Sequence, residues 1–129
     1  MKTIAKIFAG IFFIALIPGC VSTPEDIPVE LSPEELIQRG QEASDRNHYD
    51  TALQFYEAVL ERFAGNIDSV CAAEYEIAFI HYKQKKFETA KNEFNALLAR
   101  YDTPDEELLP PQFKKLALIV LERLAQGEK

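Results

Sequence analysis

The strongest constraint on the fold of this chain is an internal repeat. When residues 45–63 are aligned with residues 83–101, a shift of 38 positions, five of the nineteen pairs are identical. The identical pairs are Thr51/Thr89, Ala52/Ala90, Ala58/Ala96, Leu60/Leu98 and Arg62/Arg100. A unit of this length cannot bury an apolar face by itself, so its copies are expected to stack side by side.

The apolar spacing predicts that this repeat is helical. Apolar residues recur three and four apart, and no segment alternates for long enough to predict a strand. The predicted helices cover about 33–46, 50–63, 69–84, 87–101 and 111–126. The chain is therefore expected to be all-α.

Helix ends are also predicted from local residues. Ser32 and Glu35 have the spacing of a capping box, and Pro33 suits the first helical position. Gly65-Asn66 is expected to end the second helix in a left-handed conformation. Thr103 and Glu106 have the spacing of a second capping box.

In each unit, small residues allow two antiparallel helices to approach, and an aromatic ring fills the gap beside them. These residues are Gly40, Ala52 and Tyr56 in the first unit and Ala78, Ala90 and Phe94 in the second. The pattern resembles the tetratricopeptide repeat family. The resemblance implies two antiparallel helix pairs plus a C-terminal capping helix, forming a short right-handed α-solenoid. Its parts would be repeat 1 at about 33–66, repeat 2 at about 70–103 and the capping helix at about 111–126.

The same resemblance implies a groove, lined by the first helix of each pair, that binds a protein or peptide. The groove positions map onto Ile37, Gln41, Ser44 and Asp45 in unit one and onto Tyr75, Phe79, Tyr82 and Lys83 in unit two. The three rings are spaced i, i+4 and i+7, so they form one row on the third helix. Two alternatives stay open: the row is exposed to a partner, with Lys83 contacting a carboxylate, or the last helix covers it.

The last helix is expected to supply the face that a third unit would otherwise provide. Its predicted inner stripe consists of Phe113, Leu116, Ala117, Val120, Leu121 and Leu124. Leu118 and Ile119 lie off this stripe. They belong either to an unusually wide buried face or to a homodimer contact.

The N-terminal segment has the pattern of a secretion signal. Lys2 and Lys6 precede an apolar run over residues 7–17, too short to span a bilayer as a helix, and Pro18-Gly19-Cys20 follows. The last residues resemble the lipobox of bacterial lipoproteins, which implies a diacylglycerol group on Cys20. Residues 1–19 would then be a signal peptide and residues 20–32 a proline-containing tether reaching about 30–35 Å. The alternative is an ordinary signal peptide or N-terminal anchor beside an incidental cysteine.

Charge narrows the classes of partner. The formal net charge is −7, and removal of residues 1–19, with two lysines and no acid, would make it −9. This surplus of acid disfavours nucleic acid and anionic lipid surfaces, which attract basic groups. The lipoprotein resemblance implies a bacterial cell envelope. In a diderm host Val21, where aspartate would indicate inner-membrane retention, favours the periplasmic face of the outer membrane; in a monoderm host the outer face of the cytoplasmic membrane is expected.

Catalytic and metal-binding patterns are not found in the sequence. Neither His48 nor His81 has a second ligand at metal-binding spacing, and no glycine-rich phosphate loop or nucleophile motif occurs. His81 is expected to be a satisfied core residue, and Cys71 either a buried thiol or an interchain partner. We therefore expect a non-catalytic interaction scaffold without metal or cofactor apart from the lipid. The alternatives are a transporter-associated small-ligand-binding lipoprotein, which needs an enclosed cavity, and a structural homo-oligomer formed through the last helix.

Overall fold

Regular structure in the computed structural model, which describes residues 26–127, is helical throughout. The α-helices are α1 (Pro33–Asp45), α2 (Tyr49–Arg62), α3 (Ile67–Lys83), α4 (Phe87–Ala99) and α5 (Pro111–Ala125). Two short 3₁₀ turns cover Arg100–Asp102 and Glu106–Leu108. The all-α prediction is confirmed, and every helix bound lies within two residues of its predicted position. None of these helices is both long and apolar enough to cross a bilayer. The predicted signal peptide and Cys20 lie outside the described residues.

The predicted capping box at the start of α1 forms. The Ser32 hydroxyl accepts a hydrogen bond from the Glu35 backbone N–H at 3.2 Å. The Glu35 carboxylate accepts one from the Ser32 N–H at 2.9 Å. Two backbone donors that the helix cannot satisfy internally are thereby satisfied, which fixes where α1 begins.

The turns after α1 and α3 have the same backbone geometry. Asn47 and Lys85 have φ of 61° and 62°. Each turn closes with two reverse hydrogen bonds, the pattern of a Schellman motif. These are His48 N–H to Ala43 O (2.9 Å) with Asn47 N–H to Ser44 O (3.0 Å), and Lys86 N–H to His81 O (2.9 Å) with Lys85 N–H to Tyr82 O (3.0 Å). Every donor and acceptor is displaced by 38 residues, so the sequence repeat is also a backbone repeat.

Two of the predicted helix ends are wrong. Gly65 and Asn66 have no left-handed backbone, and Asn66 begins α3 by accepting a hydrogen bond from the Ser69 N–H at 3.1 Å. Thr103 forms no capping box, because its hydroxyl donates to the Arg100 carbonyl at 2.9 Å and the Glu106 carboxylate pairs with Lys114 instead. Both side chains form hydrogen bonds, but with other elements: Asn66 caps the start of α3, and Thr103 bonds to the preceding 3₁₀ turn.

The helices pack in chain order around two connected cores. α1 lies against α2 and α3 against α4, α3 also contacts both helices of the first pair, and α5 contacts α3 and α4. The predicted close approach is present at Gly40, where an added Cβ would lie 2.6 Å from the fully buried Tyr56 ring. A glycine at this position therefore sets how closely α1 and α2 approach.

The segment before α1 is docked on the domain, so the predicted tether over residues 20–32 is too long at its C-terminal end. The Arg62 guanidinium donates to the carbonyls of Pro28 (2.9 Å) and Ile27 (3.1 Å). Ile27 packs against the first core, and Leu31 is buried in it. Residues 27–31 therefore belong to the domain.

Most, but not all, of the predicted inner stripe of α5 is confirmed. Ala117 and Val120 are buried, and Phe113, Leu121 and Leu124 pack against the second core. The prediction is wrong for Leu116, which is 39% exposed at the edge of the stripe. A periodic pattern gives the direction of a stripe, whereas the neighbouring helices set its width.

Candidate partner-binding groove

A groove of about 270 Å³ lies where α1 meets α3. Its lining residues are Gln41, Ser44 and Asp45 from α1 and Tyr75, Glu76, Phe79 and Lys83 from α3. Six of the eight predicted groove residues are therefore brought together by the fold. They converge because α3 packs against α1 as well as against its own hairpin partner.

The aromatic row divides into a core end and a groove end. The Tyr75 and Phe79 rings are stacked with centroids 5.8 Å apart, as are the Phe79 and Tyr82 rings. Tyr75 is buried and contacts Phe113 of α5, with ring centroids 5.9 Å apart. Phe79 and Tyr82 are only half-buried. The last helix therefore covers the row at Tyr75, whereas Phe79 is only half-buried and lines the groove.

Lys83 holds the only formal positive charge among the residues that line this groove. Its ammonium lies 5.3 Å from the ring centroids of both Tyr49 and Phe79. It also donates a hydrogen bond to the hydroxyl of Ser44, whose side chain is buried. Contacts to two rings and a hydroxyl hold the charge in place, and no carboxylate of residues 26–127 is paired with it, which leaves it able to attract an anionic group.

Glu76 is a groove residue that the sequence analysis missed. Its carboxylate accepts a hydrogen bond from the Gln41 amide at 3.1 Å and so links α3 to α1. Burial raises the pKa of the Glu76 carboxyl, an effect opposed by the Gln41 hydrogen bond and by the charge of Lys83. The groove floor therefore carries a half-buried negative charge a short distance from a positive one. Glu76 has no signal in the sequence beyond its position between Tyr75 and Ile77 on α3.

Two predicted groove residues lie outside the lining. Ile37 packs against the first hydrophobic core. Tyr82 continues the ring row but turns toward Phe87 at the start of α4, with ring centroids 6.0 Å apart. Both side chains pack against a hydrophobic core, so substituting them would test the core rather than a binding surface.

An apolar crevice of about 530 Å³ lies on another face of the domain and is lined by residues of α2, α3 and α4. Leu60, Ile77 and Leu97 contribute apolar lining, together with two exposed alanines of α4. At one side the Arg100 guanidinium binds both carboxylate oxygens of Glu74, at 2.7 and 2.8 Å. This two-point ion pair keeps α3 and α4 in register beside the crevice.

His81 and Cys71 have structural environments. His81 Nδ1 lies 2.7 Å from the Glu93 carboxylate, which joins α3 to α4, as expected for a satisfied core histidine. Cys71 is fully buried, and burial raises the pKa of its thiol. Of the two alternatives for this cysteine, the buried thiol is confirmed. No group of three or more candidate metal-binding side chains occurs within residues 26–127.

Comparison with known proteins finds similarity to a chain without a described role. An uncharacterized protein from Treponema pallidum (strain Nichols) is 37% identical to this chain over 126 residues, which is 96% of this chain and 49% of the relative. The chain thus spans about half the length of the curated relative it matches. No protein-family model matches the chain. No solved structure matches it either.

Proposed function

We propose that this chain is a lipid-anchored, non-catalytic interaction module of a bacterial cell envelope. In this proposal Cys20 carries the lipid, and the helical domain is a short tetratricopeptide-like solenoid capped by α5. The α1–α3 groove binds a protein or peptide segment, on the periplasmic face of the outer membrane in a diderm host. The scaffold role follows from the groove, and the location follows from the lipobox resemblance.

The observation that carries the proposal is the composition of the groove. A half-buried aromatic edge at Phe79, an ammonium at Lys83 and a half-buried carboxylate at Glu76 lie together in one concave surface. Rings supply contact area with little loss of side-chain freedom, and fixed charges select the orientation of a bound chain. The exposed Asp45 carboxylate lines the same groove, so a peptide with an apolar side chain, an acidic group toward Lys83 and a basic group toward Asp45 and Glu76 fits this arrangement.

In this proposal, the docked N-terminal segment leaves only a short linker between the domain and the anchor. Because the structure joins residues 27–31 to α2, the linker left for the proposal is residues 20–26. Six residue steps span at most about 20 Å. The proposed partner would therefore be met near the membrane surface.

The groove is tested by crosslinking the tagged full chain in its own cells and identifying the recovered envelope proteins. Lys83→Glu and Phe79→Ala are compared with wild type, and Lys91→Glu, on the exposed surface of α4, is the matched charge control. Loss of one specific protein with both groove variants, but not with the control, is expected. Thermal unfolding of each variant separates lost binding from lost folding. Equal recovery with all folded versions would contradict the groove proposal.

The anchor is tested separately by metabolic labelling with a fatty-acid analogue. Label and membrane association are expected in wild type and absent in Cys20→Ser. A wild-type chain that is membrane-associated but unlabelled would contradict lipidation and favour an uncleaved N-terminal anchor.

The apolar crevice favours a second candidate function, the binding of a small apolar ligand. Its volume of about 530 Å³ lies in the range of small-molecule sites. Ala96→Trp would fill it from the exposed surface of α4. If this candidate holds, an apolar fluorescent probe binds wild type and not the substituted chain, while the Lys83→Glu chain binds it normally. Binding that is unchanged by Ala96→Trp would rule out the crevice.

A further inference from the structure

Exposed apolar side chains are concentrated at the C-terminal end of the domain. Among residues 26–127, four of the five large exposed hydrophobic residues lie between positions 108 and 119. They are Leu108, 74% exposed, Leu116 and Ile119, each 39% exposed, and Leu118, 50% exposed. Scattered single apolar residues are normal on a surface, whereas their concentration in one short stretch of chain makes that stretch a candidate interface.

Helices α3 and α5 differ in how they are covered. One face of α3, with Ala73 and Ile80, packs on the first core, and the opposite face, with Cys71 and Ala78, packs on the second. α5 packs one face on the second core through Ala117 and Val120. Leu118 and Ile119 lie on the opposite face of α5. Both faces of α3 are covered by other helices, but no helix of the described residues covers this face of α5.

The charges on this exposed face of α5 are arranged symmetrically. Lys115 and Glu122 are exposed, lie on the same side as Leu118 and Ile119, and are equally distant from the midpoint between those two residues. Seven residues separate the two charges, about 10 Å along the helix, so they cannot form an ion pair with each other. In an antiparallel pair of such helices, each lysine would face the glutamate of the other copy.

We propose that a second copy of this chain covers the face, with the two α5 helices packed antiparallel around a two-fold axis through the 118–119 step. Leu118 of one copy then packs on Ile119 of the other, and Lys115 pairs with Glu122 of the second copy, twice. The surface is self-complementary, as a two-fold interface requires. The dimer is independent of the groove between α1 and α3. A contact of one helix per copy is small for a stable complex, so the dimer is expected to be weak and concentration-dependent.

The test uses the full chain in a mild detergent, with copies labelled separately with donor and acceptor dyes. Energy transfer is measured as the protein concentration rises. Leu118→Lys should abolish the transfer, whereas Val29→Lys, at an exposed apolar residue outside the cluster, should leave it unchanged. Leu118 and Val29 are both exposed, so neither substitution is expected to unfold the domain. Circular dichroism checks that both variants are folded.

Charge exchange tests the antiparallel register. Lys115→Glu and Glu122→Lys should each weaken self-association about tenfold, because each places like charges opposite one another. The two single variants should associate with each other when mixed, and the double exchange Lys115→Glu/Glu122→Lys should restore self-association. A wild-type chain that shows no transfer at any concentration would overturn the proposal. So would a dimer that is insensitive to Leu118→Lys, or single variants that fail to associate when mixed.

Discussion

Asn47 and Lys85 share one left-handed backbone conformation at equivalent points of the two helix hairpins, with φ of 61° and 62°. Asparagine adopts this conformation readily, whereas lysine adopts it at a cost in free energy. The same turn is therefore made by a favourable residue in the first hairpin and by an unfavourable one in the second.

This difference predicts that substitution by glycine will stabilise the second turn but not the first. Lys85→Gly should raise the free energy of unfolding by about 0.5–1 kcal/mol, because glycine has no Cβ to strain the turn. Asn47→Gly should not stabilise, because it also removes the hydrogen bond that the Asn47 side chain accepts from the Tyr49 hydroxyl at 2.7 Å, and a loss of up to about 1 kcal/mol is expected. Denaturant unfolding of both variants measures the difference. Lys85→Ala, which removes the charge but keeps the Cβ, is the control and should not stabilise.

Gly40 should not accept even a methyl group. Gly40→Ala places a Cβ 2.6 Å from a Tyr56 ring that is fully buried and cannot swing into solvent. Overpacking of this kind costs about 1–3 kcal/mol, and the better helix propensity of alanine offsets about 1 kcal/mol. A net loss of up to about 2 kcal/mol is expected in denaturant unfolding. Gly65→Ala, where no atom of the described residues lies within 4 Å of the new methyl group, should be close to neutral.

Glu76 should make stability depend on pH in the acid range. Burial raises the pKa of its carboxyl in the folded chain, so the folded state holds the proton more tightly than the unfolded state does. Its contribution is therefore favourable below the ordinary pKa of glutamate and is lost as pH rises through the folded-state pKa. Glu76→Gln should stabilise the domain at about pH 7, with the gain over wild type disappearing near pH 4.

The measurement is a series of unfolding curves across this pH range. Glu57→Gln, at an exposed position of α2, controls for the general effect of removing one negative charge. Equal gains from both substitutions at neutral pH would mean that net charge, rather than the burial of Glu76, is responsible.

Arg62 should hold the segment before α1 in place. Arg62→Ala removes the hydrogen bonds to the carbonyls of Ile27 and Pro28 and should cost about 1 kcal/mol. The specific effect is local: amide hydrogen exchange in residues 27–31 should accelerate much more than exchange in α3 and α4. Arg39→Ala, an exposed arginine of α1, is the control, and uniform acceleration throughout the domain would contradict a local clamp.

The sequence predicted the features that depend on local pattern. Helix number and type followed from apolar spacing, and the close approach at Gly40 followed from a small residue paired with an aromatic one. Most of the groove was expected from the tetratricopeptide resemblance, whose groove positions map onto α1 and α3, and six of those eight residues line the observed groove.

Features that depend on how helices meet were not predictable in this way. Arg62 contacts backbone carbonyls, which every residue carries, so the sequence pattern predicts a tether where the structure has a docked segment. Glu76 enters the groove because Gln41 lies opposite it on another helix. Leu116 is exposed because α3 and α4 cover a narrower strip of α5 than periodicity alone predicts.

The Arg62 clamp has a mechanical consequence. A pull on the chain upstream of Asp26 is carried first by the two guanidinium hydrogen bonds and so enters the domain at the C-terminal end of α2. The capping box of α1 follows this attachment in the chain, so it bears no force until the Arg62 hydrogen bonds break. The domain is thus held at its middle rather than by its first helix, and tension on the segment would peel off residues 27–31 before it could unwind α1.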